Sequence, residues 1–213
     1  HLGEFAKLLQ DPSLQVRQQA VLTFNSLFNS NIGAITTELL KDSILPSLYS
    51  ETKAHPELVH LVDYGNFKEN VDDGLPLRKS VFMCLSSLLE NGAYRLDMQL
   101  FMKQLIGGLT DNDDIQIISL QMFETIARIQ PGPLLEILDS LPNTIMDSVK
   151  NHLKVAKTPE GERSMDCLRA IVKALTVFNK VPGHEMCAQY NRFYKQVLAT
   201  ALLKEILQKQ MSS

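Results

Sequence analysis

Apolar residues return every three or four positions along most of this chain, in runs separated by short polar turns. Residues 13–29 place Val16, Ala20, Phe24, Leu27 and Phe28 on one helical stripe. Residues 75–90 do the same with Leu77, Val81, Leu85, Leu88 and Leu89. The pattern recurs over 115–130 with Ile117, Leu120, Phe123, Ile126 and Ala127, and over 163–178 with Cys167, Ala170, Ile171, Ala174, Leu175 and Phe178. A further candidate helix precedes each of these, over 2–10, 34–48, 94–109 and 133–154. The pattern predicts an all-α protein built from helix pairs.

The junctions inside the pairs resemble one another: "LLQDPSLQVR", "LTDNDDIQII" and "VAKTPEGERS". Asp11-Pro12-Ser13 and Asp111-Asn112-Asp113 are stop-and-start signals, since short side-chain oxygens accept bonds from the unpaired amides of a new helix. Aligning the junctions makes Arg17, Arg78, Ile118 and Arg163 equivalent, at separations of 61, 40 and 45 residues. Two helices per roughly 40–47 residues is the period of HEAT and armadillo repeats, and "DPSLQVRQQA" resembles the HEAT turn in particular. Such units stack on their neighbours to complete a core. The expected architecture is therefore one HEAT-repeat α-solenoid over residues 1–213, with a C-terminal helical cap at about 184–210. Because "HLGEFAKLLQ" starts in mid-pattern, a piece of a longer solenoid is expected.

The interval of 61 is too long. From the last leucine of the first helix to the equivalent second-helix position the distances are 8 (Leu9 to Arg17), 9 (Leu109 to Ile118), 10 (Leu153 to Arg163) and 30 (Leu48 to Arg78). An excess of about 20 residues lies inside one repeat, at about 51–73. Its composition is unlike a flexible linker, which is rich in glycine, serine or charge. It holds Leu58, Val59, Leu61, Val62, Tyr64, Phe67 and Val71. "ELVHLVD" and "FKENV" flank Gly65-Asn66 and read as two strands, 57–63 and 67–71, around a tight reversal. A lone hairpin is marginal in water, so it either covers a groove between adjacent helices or offers itself to a partner. Apolar residues on both of its faces favour the second.

Net charge removes some classes of function. At −3, with scattered Lys and Arg, nothing in the chain tracks a phosphate backbone. No apolar stretch approaches the ~18 residues needed to span a bilayer. Cys84, Cys167 and Cys187 are too far apart for a disulfide framework or a zinc motif of close pairs, and read as reduced thiols of a cytoplasmic or nuclear protein. His55, His60 and Asp63 share neither a helix face nor a strand face, so they are not a metal set. Ser86-Ser87 lacks a His/Asp partner, and Gly107-Gly108 lacks the Lys-Ser/Thr of a phosphate loop. No enzyme activity, metal or cofactor is expected.

The insert and its exit also carry a family resemblance. "LYSETK", followed by the hairpin and "GNFKENVDDGLPLRK", resembles the C-terminal region of the CAND (cullin-associated, neddylation-dissociated) proteins, as does "YRLDMQLFMKQLIGGLTDNDDIQ" further on. Asn66 stands where that family has proline and Glu69 where it has histidine, which makes the tip less basic. The resemblance implies a non-enzymatic regulator of cullin–RING ubiquitin ligases. It implies binding to the cullin N-terminal region alongside the remaining HEAT repeats, with the hairpin overlapping the site of the substrate-receptor adaptor. On that reading Leu58, Leu61, Val62, Tyr64 and Phe67 are apolar anchors, Gly65 and Asn66 form the turn, and Lys68 and Glu69 form the rim. Asp72, Asp73 and Gly74 are expected to end the hairpin and cap the next helix, with Arg78 at the repeat's turn position. The alternative is a HEAT scaffold or transport-receptor segment that binds a different helical partner.

Overall fold

The computed structural model describes residues 1–156, 158 and 161–212. The chain forms two compact units, His1–Leu96 and Asp97–Ser213. Both are built from HEAT-like helix pairs, and among the described residues the only sheet is one two-stranded hairpin.

In the first unit, α1 (Leu2–Ala6) runs through a 3₁₀ turn to the junction and α2 (Leu14–Asn31). Asp11 ends the first element, and its carboxylate accepts from the Ser13 amide at 2.8 Å. The stripe of α2 buries Ala20, Val21, Phe24 and Phe28, with Phe5 and Phe24 ring centroids 5.5 Å apart. The candidate helix 34–48 is interrupted. Thr36 caps α3 (Thr37–Leu39), a π-helical turn follows over Leu40–Ile44, and α4 spans Leu45–Ser50. Pro46 explains the turn: it has no amide to donate, and its ring crowds the carbonyl one turn back, so the ladder shifts register.

After the hairpin, β1 (Val59–Asp63) and β2 (Lys68–Asp72), α5 (Leu75–Gly92) returns to pack along α2. A polar seam runs beside their buried stripes: Gln18 donates to Ser80 at 3.3 Å, Asn29 to Ser87 at 2.9 Å and Asn91 to Asn29 at 3.2 Å. The ends of the two helices approach so closely that a Cβ on Gly92 would sit 2.3 Å from Ile32 Cδ1. Arg95 closes that end by donating to the carbonyls of Ile32 and Ile35 at 3.0 and 2.6 Å.

The second unit contains α6 (Met98–Gly108), α7 (Asp113–Ile129), α8 (Pro131–Leu138), α9 (Leu141–Val155), α10 (Glu162–Phe178), α11 (Ala188–Leu198) and α12 (Ala201–Met211). One of the expected helices is divided here, and the expected cap comprises two helices. The run 133–154 breaks after Leu138, because Pro142 cannot donate to the Leu138 carbonyl; Ser140 instead closes a turn on Ile137 at 2.8 Å. The cap at 184–210 breaks at Ala199-Thr200. It docks through Tyr190, whose buried hydroxyl donates to the Leu175 carbonyl at 2.8 Å and whose ring lies 6.5 Å from that of Phe178. No described helix is long and apolar enough to cross a membrane.

A candidate partner-binding hairpin

The hairpin is held at its root and free at its tip. On the incoming side, Glu51 follows α4 and pairs with Arg17 of α2 at 3.3 Å and with His55 at 3.4 Å. On the outgoing side, the Asp72 carboxylate accepts from the Gly74 amide at 2.9 Å and from the Arg78 guanidinium at 2.9 Å. Arg78 is only 4% exposed, so this pair sits where water competes poorly. The Leu58 carbonyl accepts from the Asp73 amide at 3.1 Å, and the Leu58 side chain lies against Gly74, where an added Cβ would be 3.0 Å away. These bonds tie the insert to the corner of its own repeat.

Arg78 does here what two other residues do at uninterrupted junctions. Arg17, Arg78 and Gln116 are each the fourth residue of their helices, and their backbone amides make the first helical bond, to Ser13, Gly74 and Asn112. Each side chain then reaches back six or seven residues: Arg17 to the Asp11 carbonyl at 2.9 Å, Arg78 to Asp72, and Gln116 to the Leu109 carbonyl at 2.6 Å. The sequence alignment of junctions placed Ile118 in this role. The residue that fills it is Gln116, two positions earlier, because helix register rather than loop length sets the equivalence. Arg163, the fourth expected equivalent, is exposed and pairs with Asp114.

The antiparallel register pairs Val59 with Asp72, His60 with Val71, Leu61 with Asn70, Val62 with Glu69 and Asp63 with Lys68. Side chains alternate, so one face carries Val59, Leu61, Asp63, Lys68 and Asn70. The other carries His60, Val62, Glu69 and Val71. At the reversal the Tyr64 amide donates to the Phe67 carbonyl at 3.0 Å, and Gly65 adopts φ +81°. Among the described residues no non-glycine has positive φ, so glycine occupies the one position of this turn that requires it, as in a type II′ reversal. Asp63 adds an Asx turn by accepting from the Gly65 amide at 2.8 Å.

The rings of Tyr64 and Phe67 then stack across the tip, with centroids 5.0 Å apart and planes at 25°. They are 53% and 59% exposed, and Leu61 on the opposite face is 59% exposed. These three large apolar side chains are thus left uncovered by either strand. The nine candidate residues therefore separate into four places. Val62, Tyr64, Phe67 and Glu69 share one face and the tip, and Gly65 and Asn66 make the turn. Leu61 and Lys68 look the other way, while half-buried Leu58 belongs to a 3₁₀ turn, Pro56–Leu58, at the root. Lys68 reaches Asp63 at 3.3 Å, but both are more than half exposed, so the pair contributes little. Val59, exposed beside Leu61, extends that second face and was not among the nine. His60 turns to Asp73 at 3.6 Å and His55 to Glu51 and Glu57, so neither meets Asp63.

A second polar constellation, in the other unit, has no local signature in the sequence. Gln116 of α7 donates to the Leu109 carbonyl and to Ser148 Oγ of α9, both at 2.6 Å. His152 of α9 joins it, with Nε2 2.9 Å from Gln116 Oε1 and Nδ1 3.2 Å from Ser164 Oγ of α10. Burial lowers the His152 pKa from its ordinary value, with Asp113 acting the other way, and so favours the neutral ring. The partners are 36 and 12 residues from His152 in sequence, and only packing brings them together.

A family model described as TIP120, TATA-binding protein interacting (TIP20), matches residues 35–198. The cullin-associated NEDD8-dissociated protein 1 of Drosophila melanogaster is 34% identical over 209 residues, which is 98% of this chain and 17% of that relative. The cullin-associated NEDD8-dissociated protein 2 of Mus musculus is 38% identical over 184 residues, 82% of this chain and 14% of the relative. The chain is also similar, at 29% identity over 134 residues, to a protein of Emericella nidulans named as the C-terminal part of cullin-associated NEDD8-dissociated protein 1. The chain thus spans less than a fifth of the length of the first two relatives. An exposed hairpin set into a HEAT-like repeat, together with a family match across both units, establishes that the chain belongs to the TIP120 family of cullin-associated NEDD8-dissociated proteins.

Proposed function

We propose that this chain is the cullin-binding segment of a non-enzymatic regulator of cullin–RING ubiquitin ligases, acting with further HEAT repeats. It contacts the cullin N-terminal region and competes there with the substrate-receptor adaptor. The hairpin supplies the competing surface. The observation that carries this reading is the stacked Tyr64–Phe67 tip, exposed on a hairpin whose polar bonds are concentrated at its root. Rigid aromatic anchors beside Val62, with Glu69 as a charged rim, have the make-up of an interface hot spot. Glu69 directs the tip toward a partner surface with a basic or neutral rim. On the same reading the protein works in the cytoplasm and nucleus, which fractionation of the tagged full-length protein tests.

The decisive experiment deletes residues 57–71 and measures competition with adaptor for a cullin N-terminal fragment. Competition is expected to disappear while the helical circular-dichroism signal is unchanged. Normal competition by the deleted protein places binding on the helices and sinks the proposal. Loss of helical signal makes the hairpin a structural element instead. The isolated chain is expected to bind cullin weakly, because it holds a small part of the surface of its relatives; nanomolar affinity contradicts this.

A further inference from the structure

Three side chains that could ligate a metal converge beside the His152 network. Asp113 opens α7, His152 lies in the last turn of α9, and Cys167 sits in the second turn of α10. One ligand atom from each lies within 4.8 Å of the others. Zinc held at about 2.0–2.3 Å from oxygen, nitrogen and sulfur keeps its donors roughly 3.5 Å apart, so side-chain rotations of about 1 Å close the set. We propose that Asp113, His152 and Cys167 form a zinc site, with a fourth position open to solvent.

The surroundings of His152 suit that role. The Leu109 carbonyl can only accept, which orients the Gln116 amide and leaves its Oε1 facing the imidazole. Nε2 therefore carries the hydrogen, and the Nδ1 lone pair points to α10. Its present donor there is Ser164 Oγ at 3.2 Å, one turn before Cys167 on the same helix. A ring N–H fixed by a carbonyl oxygen, leaving the other nitrogen free to bind, is the usual outer-shell arrangement around a metal-ligating histidine. Access exists too, since a cleft of about 520 Å³ opens onto Asp113, Gln116 and His152.

The charges balance. One thiolate and one carboxylate neutralise Zn²⁺, and the neutral imidazole completes a protein set with no net charge, which suits a site whose thiol is buried and whose other two ligands are half-buried. Burial, reinforced by Asp113, pushes the Cys167 thiol up to about 12, so the metal-free residue is protonated. On binding, the S–H bond breaks, its proton goes to solvent and sulfur donates to zinc.

The test is titration of the full chain with Co²⁺ as a spectroscopic stand-in and with Zn²⁺ against a chromogenic chelator. A single site is expected, with tetrahedral cobalt bands and a thiolate charge-transfer band. Cys167→Ser is expected to remove that band, and Cys187→Ser to leave it, which separates this site from adventitious binding by the more accessible thiol. Gln116→Leu is expected to weaken zinc by about 10–100-fold. Should Cys167→Ser fail to fold, X-ray absorption of the zinc-loaded wild type decides instead, with one sulfur at about 2.3 Å and lighter ligands at about 2.0 Å expected. No saturable binding, a zinc shell without sulfur, or a band that follows Cys187 overturns the proposal and leaves the cluster a hydrogen-bonded packing network.

Discussion

The hairpin root in the first unit and the Gln116–His152 network in the second occupy the same place in their repeats, at the corner between a first and a second helix. They satisfy it with different chemistry. At the root, a nearly buried guanidinium meets the Asp72 carboxylate. In the network, neutral amide, imidazole and hydroxyl groups share hydrogen bonds among α7, α9 and α10. In both, the fourth helical residue reaches back to the incoming chain, although one junction contains an insert of about 20 residues and the other none. The lesson is that the corner contact survives the insert, with the last residue of β2 taking the place of the incoming chain. A hairpin attached in this way can change at its tip without cost to the repeat beneath it.

The comparison implies a ranking of effects. Arg78→Met should cost the most, about 3 kcal/mol, because it leaves the Asp72 carboxylate with the Gly74 amide but without its charged partner next to the core. Urea unfolding checks this, and a loss under about 1 kcal/mol would show that the root is solvated like a surface pair. In the presence of a chelator, Gln116→Leu should cost about 2 kcal/mol, since it strands the Leu109 carbonyl and the His152 N–H but no charge. If that loss exceeds the one at Arg78, the distinction between ionic and neutral corners fails. The double change Tyr64→Ala and Phe67→Ala should alter stability by only about 0.5 kcal/mol or less, as both rings are more than half exposed. The same variant should lose competition with adaptor, so a large stability change would mean that the tip is part of the fold. Lys68→Ala, which breaks only an exposed pair with Asp63, should shift stability least, by a few tenths of a kcal/mol.

Much of this is legible in the sequence. The buried stripes of α5 and α10 follow the periodic residues, with Leu77, Val81, Leu85, Leu88 and Leu89 buried on one and Cys167, Ile171, Ala174, Leu175 and Phe178 on the other. The insert could be found by counting, and Gly65-Asn66 identified its reversal. The division of the helices at Pro46 and Pro142 was hidden because the apolar period continues through both, although neither proline can supply the amide that the ladder needs. The two faces of the hairpin cannot be separated from composition, since a run such as Leu61-Val62 is apolar throughout and does not say which residue shares a side with Tyr64. Register decides that, by pairing Val62 with Glu69 and Leu61 with Asn70.

The sequence alone thus determined the helix pairs, the place of the insert and the family it resembles, because each is written in spacing over a few tens of residues. Tertiary structure decided what lies at the root and what at the tip, the fourth-residue corner contact, and the meeting of Asp113, His152 and Cys167. Those three are separated by 39 and 15 residues, with no motif joining them. Their encounter depends on how α7, α9 and α10 pack, and packing responds to the shapes of whole buried faces, which local periodicity does not encode.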